Sequence, residues 1–309
     1  MTQEIDNSAL AATLASDPNY RVLRRFVPRM RYKAEDPPAE RIGRGVILDT
    51  ETTGKDSSID RIIEIGLVGF TFDRETGDVL QVTGTYNALE DPGIPIDPAA
   101  SRVNGITDEM VKGKQIDDAQ VQAFVKDADI VIAHNSQFDR AFCEPRFPFF
   151  KDCAWGCSRS QVDWEGEGIG GQKMDYIAFK LGFFYEAHRA EADCLALLEI
   201  LAAPGPVTGR PALKKILEAY KLVEMRIWAV QAPFEKKSLL SARVYRWGDG
   251  TNGKEKAWNR TVTKADFDDE ITWLKNNVYG ARFKVIVDTV DAMSRFSPRR
   301  VGTELMAFS

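Results

Sequence analysis

Hydrophobic and polar positions change period several times along the chain. From Val46 three segments rich in β-branched and apolar residues follow one another: GVILD, RIIEIGLVGFTFD and VLQVTGTYNALE. The turn-forming stretches KDSSID and RETGD separate them. DDAQVQAFVKDA then takes up helical spacing, and DIVIAHN is a short β-branched run of strand length. SQFDRAFCEPRF reads as a helix ended by Pro145, KMDYIAFKLGF as another, and RAEADCLALLEILAA as a third stopped by Pro204. Strands first, then alternating helices and strands, predict an α/β domain over residues 45–205, a mixed β-sheet flanked by helices.

The flanks read differently. Residues 1–44 mix four prolines with the basic run RVLRRFVPRMRYK and predict a short helix and a polar linker that packs on the main domain or stays mobile. After 205, PGPVTGRP is a linker, and 210–309 predict a small α+β module. Its expected parts are a helical LKKILEAYKLVEMRIWAV, a hairpin SLLSARVYRW–GDGTNGK–EKAWNRTV with Asp-Gly and Asn-Gly at the tip, an acid-started helix KADFDDEITWLKNNVYG, and a final strand RFKVIVDTV. A Trp on each side of the hairpin, Trp247 and Trp258, predicts a cross-strand pair belonging to the module's own core.

Charge sharpens this division. Residues 1–209 carry 22 Lys and Arg against 34 Asp and Glu, whereas 210–309 carry 19 against 12, so a net −5 hides an acidic front and a basic back. Basic residues Arg243, Arg246, Lys254, Lys256 and Arg260 on or beside the hairpin suit phosphate contacts, or alternatively a solvated face. A protein partner docking on this module would fit the same charges. No apolar run reaches the ~18–20 residues of a membrane span, and the N-terminus lacks a signal-peptide pattern, so a cytoplasmic protein without membrane contact is expected. Four cysteines in 309 residues make no disulfide framework; CAWGC is poor zinc spacing, and buried thiols are expected.

The candidate chemistry starts at the end of the first strand. In GVILDTETTG, Asp49 and Glu51 stand two apart, so a strand points both carboxylates the same way, as a hard cation with oxygen ligands requires. A strand-end turn with Asp49 as a cap would be the purely structural alternative. Two further clusters carry acids: HNSQFDRAF, with His134, Asn135 and Asp139, and HRAEADCLALL, with His188 and Asp193. Asp193 sits among residues that should face a core, where an acid needs a partner.

Together, LDTETTG, HNSQFDRAF and HRAEADCLA, with VNGITDEMV between the first two, resemble the DEDD exonuclease superfamily. The matching branch is the histidine-containing, DnaQ-like one that includes the proofreading epsilon subunit of bacterial DNA polymerase III. The resemblance is to a stand-alone paralogue and covers about 45–203. It implies an RNase H-like fold and a metal-dependent 3′→5′ exonuclease that hydrolyses phosphodiester bonds from a 3′ end and releases 5′-mononucleotides. It further implies two Mg²⁺ or Mn²⁺ ions held by Asp49, Glu51, Asp139 and Asp193, His188 as general base, and Thr52 and Asn135 near the terminal nucleotide. Two ions can stabilise both the attacking and the leaving oxygen, and histidine exchanges protons near neutral pH. His134 is expected to shape the strand end, and DWEGEGIGG to form an ordered loop near the mouth of the site. Single-stranded or 3′-end nucleic acid is the expected partner, with DNA ahead of RNA. The alternatives are an RNA- or oligonucleotide-trimming exoribonuclease and, in a different class, a catalytically inert nucleic-acid-binding scaffold.

Overall fold

A computed structural model describes residues 7–250, 255–280, 282–299 and 303–308. The chain opens with helix α1 (Asn7–Ser16), which buries no residue, and the two-residue strand β1 (Arg24–Arg25). Three long strands follow as antiparallel neighbours: β2 (Ile42–Thr52), β3 (Ile62–Asp73) and β4 (Val79–Leu89). Short helices α2 (Pro98–Asn104), α3 (Asp108–Val111) and α4 (Asp118–Val125) lead to β5 (Ile130–Ala133). Helix α5 (Ser136–Arg146) and strand β6 (Trp155–Cys157) come next, and β5 lies parallel to both β2 and β6. The sheet order is β4-β3-β2-β5-β6. Helix α6 (Met174–Lys180), strand β7 (Phe183–Phe184), which pairs with β1, and helix α7 (Ala190–Ala202) complete this unit.

Strand alternation builds two cores on the two faces of this sheet. Val46 and Leu48 join Val121, Phe142 and Trp155 on the side of α4 and α5. Ile47 joins Ile177, Cys194 and Leu197 on the side of α6 and α7. This is the mixed, helix-flanked sheet that the sequence predicts. Cys143, Cys157 and Cys194 are buried free thiols, and Cys153 is half-buried. Helix α5 runs one residue past Pro145 to Arg146, and Phe147 leaves helical geometry (φ −130°, ψ 87°), so the helix ends beside the proline.

The expected long helix after the linker is a correction. Only α8 (Ala212–Tyr220) is helical, and Glu224–Ala229 form strand β8. From Val223 on, Met225, Ile227 and Ala229 turn to an apolar core while Arg226 and Trp228 turn away, so a two-residue period overrides the helical spacing. Leu213 and Ile216 of α8 are buried in the α7-side core, so this helix packs with the first sheet although it follows the linker.

Helix α9 (Lys237–Ala242), strands β9 (Arg246–Trp247) and β10 (Trp258–Thr263), helix α10 (Phe267–Leu274), and strands β11 (Phe283–Val290) and β12 (Thr303–Phe308) form the second unit. Its antiparallel sheet has the order β12-β11-β8-β10-β9. Leu240, Ile271 and Leu274 cover one face, against Ile227, Val262 and Val285. The Asn-Gly turn expected at the hairpin tip, like Lys254, lies outside the described residues.

A buried polar network joins the two units. The segment after β11 lies along the edge of β6, where the Trp155 amide donates to the Ala292 carbonyl at 2.8 Å. Arg140, with 0% of its surface exposed, donates to the carbonyls of Arg295 (2.7 Å) and Met293 (2.6 Å) and to Glu144 (2.7 Å). Glu144 also accepts from Ser297 and Arg299. Among the described residues, no helix is long and apolar enough to cross a membrane.

Candidate active site

The C-terminal end of β2 projects beyond its neighbour. Strand β5 pairs only with Gly45–Ile47, which leaves the next β2 amides on that side free. Asp49 and Glu51 share the face of Ile47, toward α7, and one oxygen from each lies within 4.8 Å of one from Asp193. Asp139 comes from the opposite face. Its Oδ1 accepts from the Thr50 amide (3.2 Å) and hydroxyl (2.9 Å), using the amide that β5 leaves unpaired. The sequence set therefore assembles as three clustered carboxylates with a fourth held beside Asp49 across the strand. Asp49, Glu51, Asn135, Asp139, His188 and Asp193 all line one cavity of about 780 Å³.

Gly66 permits this approach. It pairs with Asp49 on β3, and a Cβ there would lie 2.4 Å from the Ala190 carbonyl carbon at the start of α7. Without a side chain, α7 closes onto β3 and carries Asp193 to the strand end. The residues before α7 are pinned in turn: the amides of His188 (2.7 Å) and Arg189 (3.0 Å) donate to Asp193 Oδ2. His188 adopts φ 70°, an uncommon left-handed conformation for a residue with a side chain, and its imidazole is exposed at the cavity rim.

Burial and mutual repulsion dominate the electrostatics. Burial raises Asp49 well above the ordinary carboxylate range, and Asp139, Asp193 and Glu51 add repulsion. Glu51 is pushed up to about 7 by burial against the opposing hydrogen bond from Asn104 (3.2 Å). Asp139 also rises to about 7 by burial, with the Thr50 bonds opposing. Burial lifts Asp193 as well, while the Tyr185 hydroxyl and the two turn amides pull it down. Among the described residues none of the four makes an ion pair with a basic side chain. Four oxygen-donor acids that disfavour their own ionisation form a hard-ligand set suited to a divalent cation.

Of the other expected residues, His134 also lines the cavity. Thr52 does not line the cavity: it is buried, and its hydroxyl donates to the Gly54 carbonyl within its own turn. His134 bridges Ser158 (2.8 Å) and the Gln172 carbonyl (2.7 Å), which assigns the proton to Nε2, and burial lowers it to about 4. It braces the strand end as expected. The DWEGEGIGG loop is turned from the mouth: Trp164 is buried, and Glu167 accepts from Val207, Thr208 and Lys215 near the linker. Only the continuation, Gln172 to Asp175, reaches the cavity.

Three supporting residues went unread in the sequence. Glu64, directly opposite Glu51 and fully buried, binds Arg189 (3.0 Å) and so anchors the His188 turn. Its signal was a lone acid in the apolar run RIIEIGLVGF. Asn104 lies in VNGITDEMV, and Tyr185 three residues before His188; neither had a spacing signal that marked it.

A mixed sheet ending in a pocket of uncompensated acids, with a histidine at its rim, defines a phosphodiester-hydrolase type of centre. The family model described as Exonuclease matches residues 46–201, and the chain belongs to that family, with the RNase H-like sheet expected of it. It is 31% identical over 164 residues to the DNA polymerase III subunit epsilon of Treponema pallidum (strain Nichols), covering 49% of this chain and 72% of that protein. It is 28% identical over 205 residues to a PolC-type DNA polymerase III of Thermotoga maritima, covering 61% of this chain but 14% of that protein. A solved structure of exonuclease X in complex with 5′-overhanging duplex DNA aligns at 24% identity and TM-score 0.41, over 55% of this chain and 99% of that one.

Proposed function

We propose that this exonuclease acts in the 3′→5′ direction, depends on divalent metal, and releases 5′-mononucleotides from the 3′ end of DNA. One observation carries the reading: four carboxylates with no ion-paired basic side chain among the described residues, and the exposed His188, line the same cavity. Asp49, Glu51, Asp139 and Asp193 would hold two divalent ions, which supply a Lewis-acidic environment for the scissile phosphate and its attacking water. His188 stands at the rim to take the water's proton, on a backbone fixed by Asp193 and Arg189. Asn135, in a left-handed conformation (φ 85°) at the head of α5, offers an amide side chain to the terminal nucleotide. Preference for DNA is supported by the relatives, which are named DNA polymerase III subunit epsilon and DNA polymerase III PolC-type.

A gel assay tests this with matched 5′-labelled single-stranded DNA and RNA in Mg²⁺, Mn²⁺ or EDTA, beside Asp49→Ala. A ladder shortening from the 3′ end, lost with EDTA and in the variant, and faster on DNA, is expected. Faster RNA trimming would reverse the substrate order, and folded protein without cleavage would leave the inert-scaffold alternative.

A further inference from the structure

The second sheet has one apolar face and one mixed face on which polar residues accompany Trp228, and the mixed one looks toward the catalytic unit. Strand alternation places Arg226 of β8, Arg246 of β9, and Asn259 and Thr261 of β10 on that face, opposite the α9–α10 core. Across from them stand Gln137 of α5 and Ser160 of the turn after β6. The groove between holds about 640 Å³. Neighbouring residues divide between groove and catalytic cavity: Gln137 and Ser160 line the groove, while Asn135, Phe138 and Arg159 line the cavity.

The groove is basic where the cavity is acidic. Three arginines and one glutamate line it, and that glutamate, Glu224, is already held by Arg295 at 3.0 Å. Arg226 is half-buried, its Nε makes one long bond to Thr261 (3.4 Å), and among the described residues no ion pair reaches it. Burial lowers its pKa against the attraction of Asp288 and Glu224. Arg246 is exposed, and among the described residues its guanidinium has no ion pair. By contrast Arg243 and Arg260, which the sequence offered for phosphate contact, are spent on Glu270. Trp258 packs on the helix-side core, as expected, whereas Trp247 stacks edge-on against it (5.7 Å) with 53% of its surface exposed, on the face away from the groove.

We propose that this groove carries the sugar–phosphate backbone of a single strand on the 5′ side of the scissile nucleotide, with Arg226 and Arg246 as phosphate contacts and Asn259, Thr261 and Gln137 as hydrogen-bonding walls. The strand's direction rests on the 3′→5′ reading of the catalytic cavity; the groove's affinity for a strand does not. Phosphates neutralised by arginine give binding that weakens steeply with salt. A strand too short to leave the catalytic cavity gains nothing from it.

Fluorescence anisotropy of the full chain tests this without turnover, using 5′-fluorescein oligothymidylates of 4 and 16 nucleotides in Ca²⁺ at 50–200 mM salt. Arg246→Glu, at an exposed strand-end site, should weaken the 16-mer at least tenfold and the 4-mer less than twofold, and reduce the salt slope by about one. Arg226→Gln should act in the same sense, with thermal melts confirming its fold. Lys126→Glu, an identical charge reversal at the exposed end of α4, should leave the length dependence in place. Equal losses for both lengths, an unchanged slope, or an equal effect of Lys126→Glu would overturn the proposal. An unaltered 16-mer affinity would overturn it too. Absence of 3′ shortening in the gel assay would instead overturn the catalytic reading, a result independent of these affinities.

Discussion

Buried acids are treated in opposite ways in the two halves of this molecule. In the second unit Glu270 is almost fully buried and satisfied three times over, by Arg260 (2.7 Å), Arg243 (3.2 Å) and the Tyr245 hydroxyl (3.0 Å). Asp288 there accepts from Trp228 Nε1 and Thr303. In the catalytic cavity four acids crowd together with hydroxyl and amide donors, and among the described residues none of them forms an ion pair with a cationic side chain. A charge buried with its partner holds a structure together, while charges buried without one hold a site open for a cation from outside. Glu64 shows both within 1 strand pair: opposite Glu51 on the sheet, it is neutralised by Arg189 and serves as a brace.

The largest expected effect lies in the cavity. Asp49→Asn removes one acid of the set and should lower kcat at least a thousandfold, about 4 kcal/mol of transition-state stabilisation. By relieving repulsion it should also raise the melting temperature of the metal-free protein. A variant that loses activity because it unfolds would mean Asp49 is a structural acid like Glu270, and the contrast would collapse.

Glu270→Gln is the mirror experiment. Two arginines lose their counter-charge, and breaking a buried pair costs about 3 kcal/mol, so melting should fall by roughly 6–12 °C in a chain of this size. Cleavage of a short substrate per folded molecule should stay near wild type. An unaltered melt would show that the second unit does not depend on this pairing.

The pH dependence distinguishes the two regions without mutation. Glu51 and Asp139 titrate near 7 in the folded protein, above the 4.5 and 3.8 of ordinary carboxyls, so between those values the folded state binds more protons than the unfolded one. Their contribution to stability is complete below about pH 4 and is lost as pH rises through 7. Calorimetry of metal-free protein should therefore show melting falling from pH 5 to 8. Mg²⁺ or Mn²⁺ should restore more at pH 8 than at pH 5, because protons compete for the same oxygens. A rescue independent of pH would argue against these acids as the ligands.

The smallest effect is expected at Tyr185→Phe. Loss of a hydroxyl that faces Asp193 removes about 1 kcal/mol of support for its ionised form, so the apparent metal affinity should fall about fivefold with kcat at saturating metal little changed. Isothermal titration with Mn²⁺ reads this directly.

The sequence by itself determined the strand-rich start, the helices at α5 and α7, and the acids at strand and helix positions. Those features rest on local periods and on acids placed where apolar residues belong, as with Asp193 in DCLALL. Tertiary structure decided what local period could not. Residues 224–229 became a strand because β10 and β11 lie on either side of them, and Thr52 left the cavity where the strand register shifts after Glu51 and its hydroxyl turns to the Gly54 carbonyl. Arg243 and Arg260 were claimed by Glu270, while Arg226, hidden within an expected helix, was left facing a groove. A sequence shows which charges a chain carries, but their partners are fixed by contacts between residues far apart along it, and those contacts separate a structural acid from a ligand.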